Sequence, residues 1–273
     1  MQSIPKLVKI TTFNTWAIAS KELRGYFTSP FAYLVMGVFW LLAGFVFVAI
    51  LLSPEGILNQ VTQRDRSGIP TPPVDVAYEF LRLFLSVIGS LSWYVLPALS
   101  MGLYAEERRW GTLELLATSP ITNWVVAVGK LLGVLVFYGA MILPLLLLEA
   151  IALGGASPPI NLAVPLAGHL GLLLMATAIL SIGMFISALT ESTLVAAILT
   201  FAVLFILSLL ELLARSIGGS AGMALEHLSL IRHYSNLVQG VLSTSSIVLF
   251  GSYIVLGVFL TAQYIEALRF SRR

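Results

Sequence analysis

Six apolar runs, each long enough to cross a bilayer, govern what this chain can fold into. They fall at about Phe31 to Leu52, Arg82 to Leu103, Trp124 to Leu153, Leu162 to Leu189, Thr193 to Leu213 and Ile247 to Leu268. A hydrocarbon core about 30 Å thick needs roughly 20 residues of helix at 1.5 Å each, and every run meets that length. With 58% hydrophobic and 10% charged residues, the chain has too little polar surface to wrap such runs in water. The expected fold is therefore an all-α integral membrane protein of six transmembrane helices. A net charge of +2, dispersed along the sequence, excludes a nucleic-acid footprint, and the lack of cysteine excludes disulfides, thiolate metal sites and thiol nucleophiles. Lys6 and Lys9 precede no apolar run with a small-residue cleavage site, so a cleaved signal peptide is not expected.

Orientation follows from the basic residues. Lys6, Lys9, Lys21, Arg24, Arg108, Arg109, Lys130, Arg269, Arg272 and Arg273 fall on one side, and Arg64, Arg66, Arg82, Arg215 and Arg232 on the other. The richer side is expected to be cytoplasmic, with both termini inside. This divides the chain into an N-terminal arm over 1–30, a membrane domain over 31–268 and a short tail over 269–273. Within the arm, Ile10, Phe13, Trp16, Ala17, Leu23 and Phe27 share a helical sector of roughly 140°, which predicts an amphipathic interfacial helix. Gly25 and Ser29-Pro30 should then turn the chain into the membrane.

The outer segments, 53–81 and 214–246, differ in character. Ser53 to Glu79 holds Pro54, Gly56, Gly68, Pro70, Pro72 and Pro73 among mixed charges, which predicts an irregular water-facing loop. Ser216 to Ser246 alternates apolar residues with His227, Arg232, His233 and Asn236, which suggests short helices that re-enter or lie on the outer leaflet.

The connection after the second span, 104–123, is dense in charge where the rest of the chain avoids it. Gly111 and Thr112 should interrupt helix, Thr112 can cap a new one with Glu114 in its first turn, and Ser119-Pro120 ends it. Leu113, Leu115 and Leu116 beside the collar Glu106, Glu107, Arg108 and Arg109 have the composition of a docking surface for a soluble partner; the plain alternative is a solvated loop that only fixes topology. Inside the spans, Glu149 could line a substrate path or reach the outer interface. Glu211 and Arg215, four apart, are expected to form an intrahelical ion pair, and Lys130 to snorkel to the cytoplasmic boundary. Gly129-x-x-x-Gly133 should permit a close helix contact, and Pro97 and Pro144 should kink their helices.

The run Glu106-Glu107-Arg108-Arg109-x-Gly111-Thr112-Leu113-Glu114-Leu115-Leu116, followed by Ser119-Pro120-Ile121-Thr122, resembles the signature of type-2 ATP-binding-cassette exporter permeases. Lys21-Glu22-Leu23-Arg24-x-Tyr26-Phe27-x-Ser29-Pro30-x-Ala32-Tyr33 is similar to the interfacial helix and first span of the gliding-motility branch, which also holds the permease for nitrous oxide reductase maturation. The resemblance implies a half-permease that pairs with a second copy or a paralogue in the inner membrane of a bacterium. Each half would rest on one of two copies of a separate ATPase carrying ATP and magnesium, with no metal or cofactor on this chain. An extracytoplasmic accessory subunit would also fit. The connection from Glu106 to Leu116 would be the coupling helix, and the short one after the fourth span, Ala188 to Ser192 with Glu191, a second ATPase contact. No Gly-x-x-x-x-Gly-Lys-Ser/Thr occurs in these 273 residues, so nucleotide is expected on a different chain.

Two rival classes stand beside this reading. A non-transporting structural or force-transmitting subunit could use the same docking surface. An intramembrane protease would pair Glu106-Glu107 with His227, His233 and Asn236, but its motif wants an arginine where Gly111 stands, and the expected topology puts the two groups on opposite sides.

Overall fold

The computed structural model describes residues 4–67, 75–113, 121–156 and 159–271. These form helices without strands: α1 Ile4–Thr28, α2 Pro30–Leu52, α3 Ile57–Ser67, α4 Val76–Ser100, α5 Ala105–Arg109, α6 Asn123–Gly154, α7 Ala163–Leu189, α8 Thr193–Ile217, α9 Gly219–His227, α10 Leu230–Val238 and α11 Thr244–Ser271. Six of them, α2, α4, α6, α7, α8 and α11, are long and apolar enough to cross a membrane. Local signals set their starts. The Ser29 hydroxyl accepts from Ala32 N with Pro30 opening α2, Asp75 accepts from Tyr78 N at 3.0 Å, and Ser192 accepts from Val195 N at 3.4 Å.

Helix α7 is the centre of the bundle and packs against α4, α6, α8, α10 and α11. Two thirds of its apolar stretch is buried, 67%, against 17% for α2 and 22% for α8, which lie at the periphery. Small residues set the close approaches, as expected where lipid gives no hydrophobic drive between helices. Gly183 leaves room for Ser100 of α4, and Gly257 of α11 lies against the Ser181 backbone. Pro97 and Pro144 lie inside α4 and α6. A proline withholds an N–H from the preceding turn, and Trp40 of α2 donates its indole N–H to Met141 O in that turn of α6 at 2.7 Å.

Segments 53–81 and 214–246 fold more than the sequence suggested. The predicted irregular loop over Ser53 to Glu79 instead contains α3, and α4 starts at Val76. All the glycines and prolines of that segment fall before Ile57 or after Ser67, so they bound a helix rather than break one; residues 68–74 lie outside the described residues. After α8, Gly218 and Gly219 both have positive φ, 63° and 61°, a turn that side-chain-bearing residues rarely make. Helix α10 then wedges between α4 and α7, as the re-entrant reading expected. The Tyr234 ring packs on Gly89 and its hydroxyl donates to Leu85 O at 2.5 Å, while Leu237 sits against Gly171. Gly89 lies about 20 Å along α4 from Val76 at 1.5 Å per residue, so α10 reaches well into the span.

Helix α1 has two working faces. Phe13 and Trp16, with Ile10 and Ala17 of the predicted apolar sector, point away from the protein, the first two at 71% and 69% exposure, whereas Phe27 of that sector packs edge-on against Phe137 of α6. The opposite face, Thr15, Ile18, Ala19 and Glu22, lies on α6 over Gly129 and Gly133. A Cβ at Gly133 would stand 2.6 Å from Glu22 Cβ and 2.8 Å from Ala19 O, so the glycine pair creates this contact. The close helix contact expected of Gly129-x-x-x-Gly133 is therefore made by the interfacial helix.

Candidate coupling face

Helix α5 is too short to stand alone, and the end of α7 supports it. Ser187 accepts from Tyr104 N and Ala105 N, both at 3.0 Å, and donates to Met101 O at 2.7 Å. One hydroxyl thus satisfies two orphan donors of a helix start. The helix ends at Arg109, and Gly111, with φ of 69°, turns the chain away, as the sequence predicted. Thr112 sits in that turn and donates to Glu107 O at 3.3 Å. Leu113 packs against the core, whereas Glu114, Leu115 and Leu116 lie outside the described residues.

The four charges of the collar divide into two kinds. Glu106 and Arg109 are exposed, whereas the side chains of Glu107 and Arg108 are only 14% and 17% exposed and turn inward. Arg108 reaches Ala188 O at 2.9 Å, the Tyr264 hydroxyl at 3.0 Å and Glu191 at 3.5 Å. It therefore joins the two connections, after the second and fourth spans, that the sequence reading placed apart as separate contacts. Beside it Asn123 of α6 donates to Glu266 of α11 at 2.6 Å, so the ends of α5, α6, α7 and α11 at this face are cross-braced.

Lys130 is the second junction. It was expected to snorkel; instead its side chain is 3% exposed, and Nζ lies 2.5 Å from Glu22 Oε1 on α1 and 2.9 Å from Glu107 Oε1 on α5. The reason is that α6 is 32 residues long and is flanked by α1, so its first turns lie in a protein-lined pocket rather than in lipid. Nζ also stands 5.1 Å over the Tyr104 ring, and Lys21 approaches Glu107 at 3.6 Å from the solvent side. A buried charge left alone is costly, and here one ammonium is matched by two carboxylates. On α1, burial, with Glu22 and then Glu106 nearby, pushes the Tyr26 phenol well above its ordinary range. The phenol therefore stays neutral, and it donates to Leu99 O at 2.5 Å. A cavity of 280 Å³ opens between α1 and α5, lined by Glu22, Glu106, Glu107, Trp110 and Lys130.

The remaining predicted residues lie elsewhere. Glu211 and Arg215 form their expected intrahelical pair at 2.5 Å. Glu149 is buried and faces His169 of α7 at 3.3 Å. His233 sits between Ser246 Oγ and His227 O, at 2.8 and 3.1 Å, in α10 between the spans α8 and α11. Glu106 and Glu107 follow the far end of α4, so a shared proteolytic centre has no geometric basis. Glu22 and His169 had no role in the sequence reading; Glu22 could have been suspected from the Lys21-Glu22-Leu23-Arg24 run, and His169 from its place in an apolar span.

No curated protein matches the chain. Residues 69–224, which run from just before α4 to α9 and include the candidate coupling face except its α1 and α11 members, match the family described as ABC-2 family transporter protein. Family and fold agree, and the chain belongs to the ABC-2 transporter family: a multi-pass permease component of an ABC transporter, not itself catalytic and of a kind that in general works with an ABC ATPase.

Proposed function

We propose that this chain is the membrane half of an ATP-driven exporter of the gliding-motility and nitrous-oxide-reductase-maturation branch. It sits in the inner membrane of a bacterium with both termini cytoplasmic, as the distribution of Lys and Arg favours. Two copies, or one copy and a paralogue, enclose the substrate path. The sparsely covered α2 and α8 flank α4, with the exposed Tyr94 ring of α4 against Phe201 of α8, and this is the face on which the halves meet. Each half rests on a separate ATPase that holds ATP and magnesium.

The single observation that carries this reading is Arg108, which gathers both cytoplasmic connections onto one rigid support. A push on either connection is thereby delivered to α5, α7 and α11 together. Glu106, Arg109 and Trp110 remain exposed at the surface of that support and, with Leu113 to Leu116, form the ATPase contact. The test is co-purification with a co-expressed cognate ATPase. Changing Leu115 and Leu116 to Asp should abolish association and leave membrane insertion intact. Full stoichiometry of the ATPase in that variant would refute the docking assignment.

A further inference from the structure

Glu149 and His169 stand toward the end of the bundle opposite the coupling face, within the spans α6 and α7. Glu149 Oε2 lies 3.3 Å from His169 Nε2. The other ring nitrogen, Nδ1, is 2.8 Å from the Pro165 carbonyl. A carbonyl only accepts, so Nδ1 carries the hydrogen. In a neutral ring Nε2 then presents a lone pair, and an ionised Glu149 would set two acceptors face to face with no hydrogen between them. The arrangement is consistent only when the pair holds one further proton, on the carboxyl or on Nε2. Both forms sum to zero charge, which is what a buried position in a span tolerates.

Among the described residues, other polar groups of the surrounding helices are engaged elsewhere. The Tyr234 hydroxyl of α10 is committed to Leu85 O, Tyr138 of α6 to Ser92 of α4, and Tyr253 of α11 to Leu228 O. Arg82 is paired with Glu79, Arg215 with Glu211 and Arg232 with Glu226. Both nitrogens of His233 are occupied by Ser246 and His227 O. Among the described residues, His169 is the partner of Glu149.

We propose that Glu149 and His169 form a one-proton binding site between α6 and α7, in which a proton taken from water is held between Oε2 and Nε2 and ties the two spans together. Parting of the spans at this level returns the proton to water. Packing of α6 on α7 is thus linked to proton uptake, and any movement that separates them exchanges one proton per chain. The site draws on nothing in the coupling face, so it stands or falls separately from the ATPase-docking assignment.

The experiment compares the purified chain in phosphatidylcholine nanodiscs with its Glu149→Gln variant. The amide introduced by that substitution donates its own hydrogen to Nε2 and needs no added proton. Above about pH 6.5 an unfolded histidine and glutamate hold no proton, so the wild type should lose thermal stability as pH rises from 7 to 9. Its unfolding equilibrium should shift toward the unfolded state by up to about tenfold per pH unit relative to the variant. Glu149→Gln should show the reverse sign at this site, losing stability only as pH falls below about 6.5, where the unfolded histidine gains a proton that the native one lacks. The same pH dependence in both proteins overturns the proposal. If the variant does not fold, ¹⁵N-histidine spectra of the wild type at pH 7.5 decide, with His169→Gln assigning the signals. An Nε2 resonance shifted by a shared proton supports the site, and that of a bare lone pair overturns it.

Discussion

Replacing Lys130 by Met removes the ammonium from between Glu22 and Glu107 while keeping most of the volume, so the expected effect is electrostatic rather than a cavity. The two carboxylates lie 2.5 and 2.9 Å from the same nitrogen, which puts their nearest oxygens at most about 5.4 Å apart. They are only 16% and 14% exposed, so an effective dielectric of about 20 applies and their repulsion comes to about 3 kcal/mol. Lys21 remains 3.6 Å from Glu107, but at 72% exposure it offsets less than about 1 kcal/mol. The net loss of about 2–3 kcal/mol falls on the contact of α1 with α5 and α6, because those are the elements that Lys130 joins. At 1.4 kcal/mol per factor of ten, local opening of α1 should become roughly 30- to 150-fold more frequent. Amide hydrogen exchange read by mass spectrometry in nanodiscs measures this over residues 15–27, with α7 as the internal control. The triple variant Lys130→Met, Glu22→Gln, Glu107→Gln should recover most of the protection, since it removes the like charges as well. Unchanged exchange in the single variant, or no recovery in the triple one, would refute the account of Lys130 as the junction.

Two further expectations follow from the same ends of the bundle. Arg108→Ala strips Ala188 O and the Tyr264 hydroxyl of a charged donor and should lower the unfolding free energy by about 1–3 kcal/mol, whereas Glu191→Ala should cost less than about 1 kcal/mol because Glu191 is 65% exposed; equal losses in thermal denaturation would contradict the central place given to Arg108. Burial, with smaller contributions from His227 and Arg232 and against a pull from the His227 carbonyl, holds His233 below its ordinary value, so its ring is neutral in the folded segment between α8 and α11. Its contribution is complete above about pH 6.5 and fades as pH falls through the lower folded value, so amide protection factors over residues 229–246, corrected for the intrinsic exchange rate at each pH, should be lower at pH 5 than at pH 7, and His233→Gln should flatten that difference.

Length and polarity carried the spans because a bilayer imposes a length that can be counted along the chain, and the re-entrant character of 214–246 followed from the same count. Helix α3 was hidden because Pro54, Gly56, Gly68 and Pro70 sit just outside it, and a scan that weighs turn residues over the whole segment averages the helix away. At the coupling face, the break at Gly111 was legible because a positive φ has a residue preference. The fate of the charges was not. Glu22 and Lys130 are 108 residues apart, and nothing in either neighbourhood tells that one will lie over Gly133 and the other beneath α1. Lys130 looked like a boundary lysine because the sequence shows how far it lies into α6, not that α1 covers that part of α6. Glu149 was singled out as a costly charge, while the partner that neutralises it, His169, comes from the next span and was passed over.

The two glycines under α1 have a consequence for the membrane itself. They let Ala19 and Glu22 seat directly on α6, so α1 has no slack of its own: whatever tilts α6 sweeps Phe13 and Trp16 sideways through the headgroup layer. Under the proposed function, the bilayer surface acts as a brake on the conformational cycle, and its viscosity and lateral pressure become part of the load on the partner ATPase.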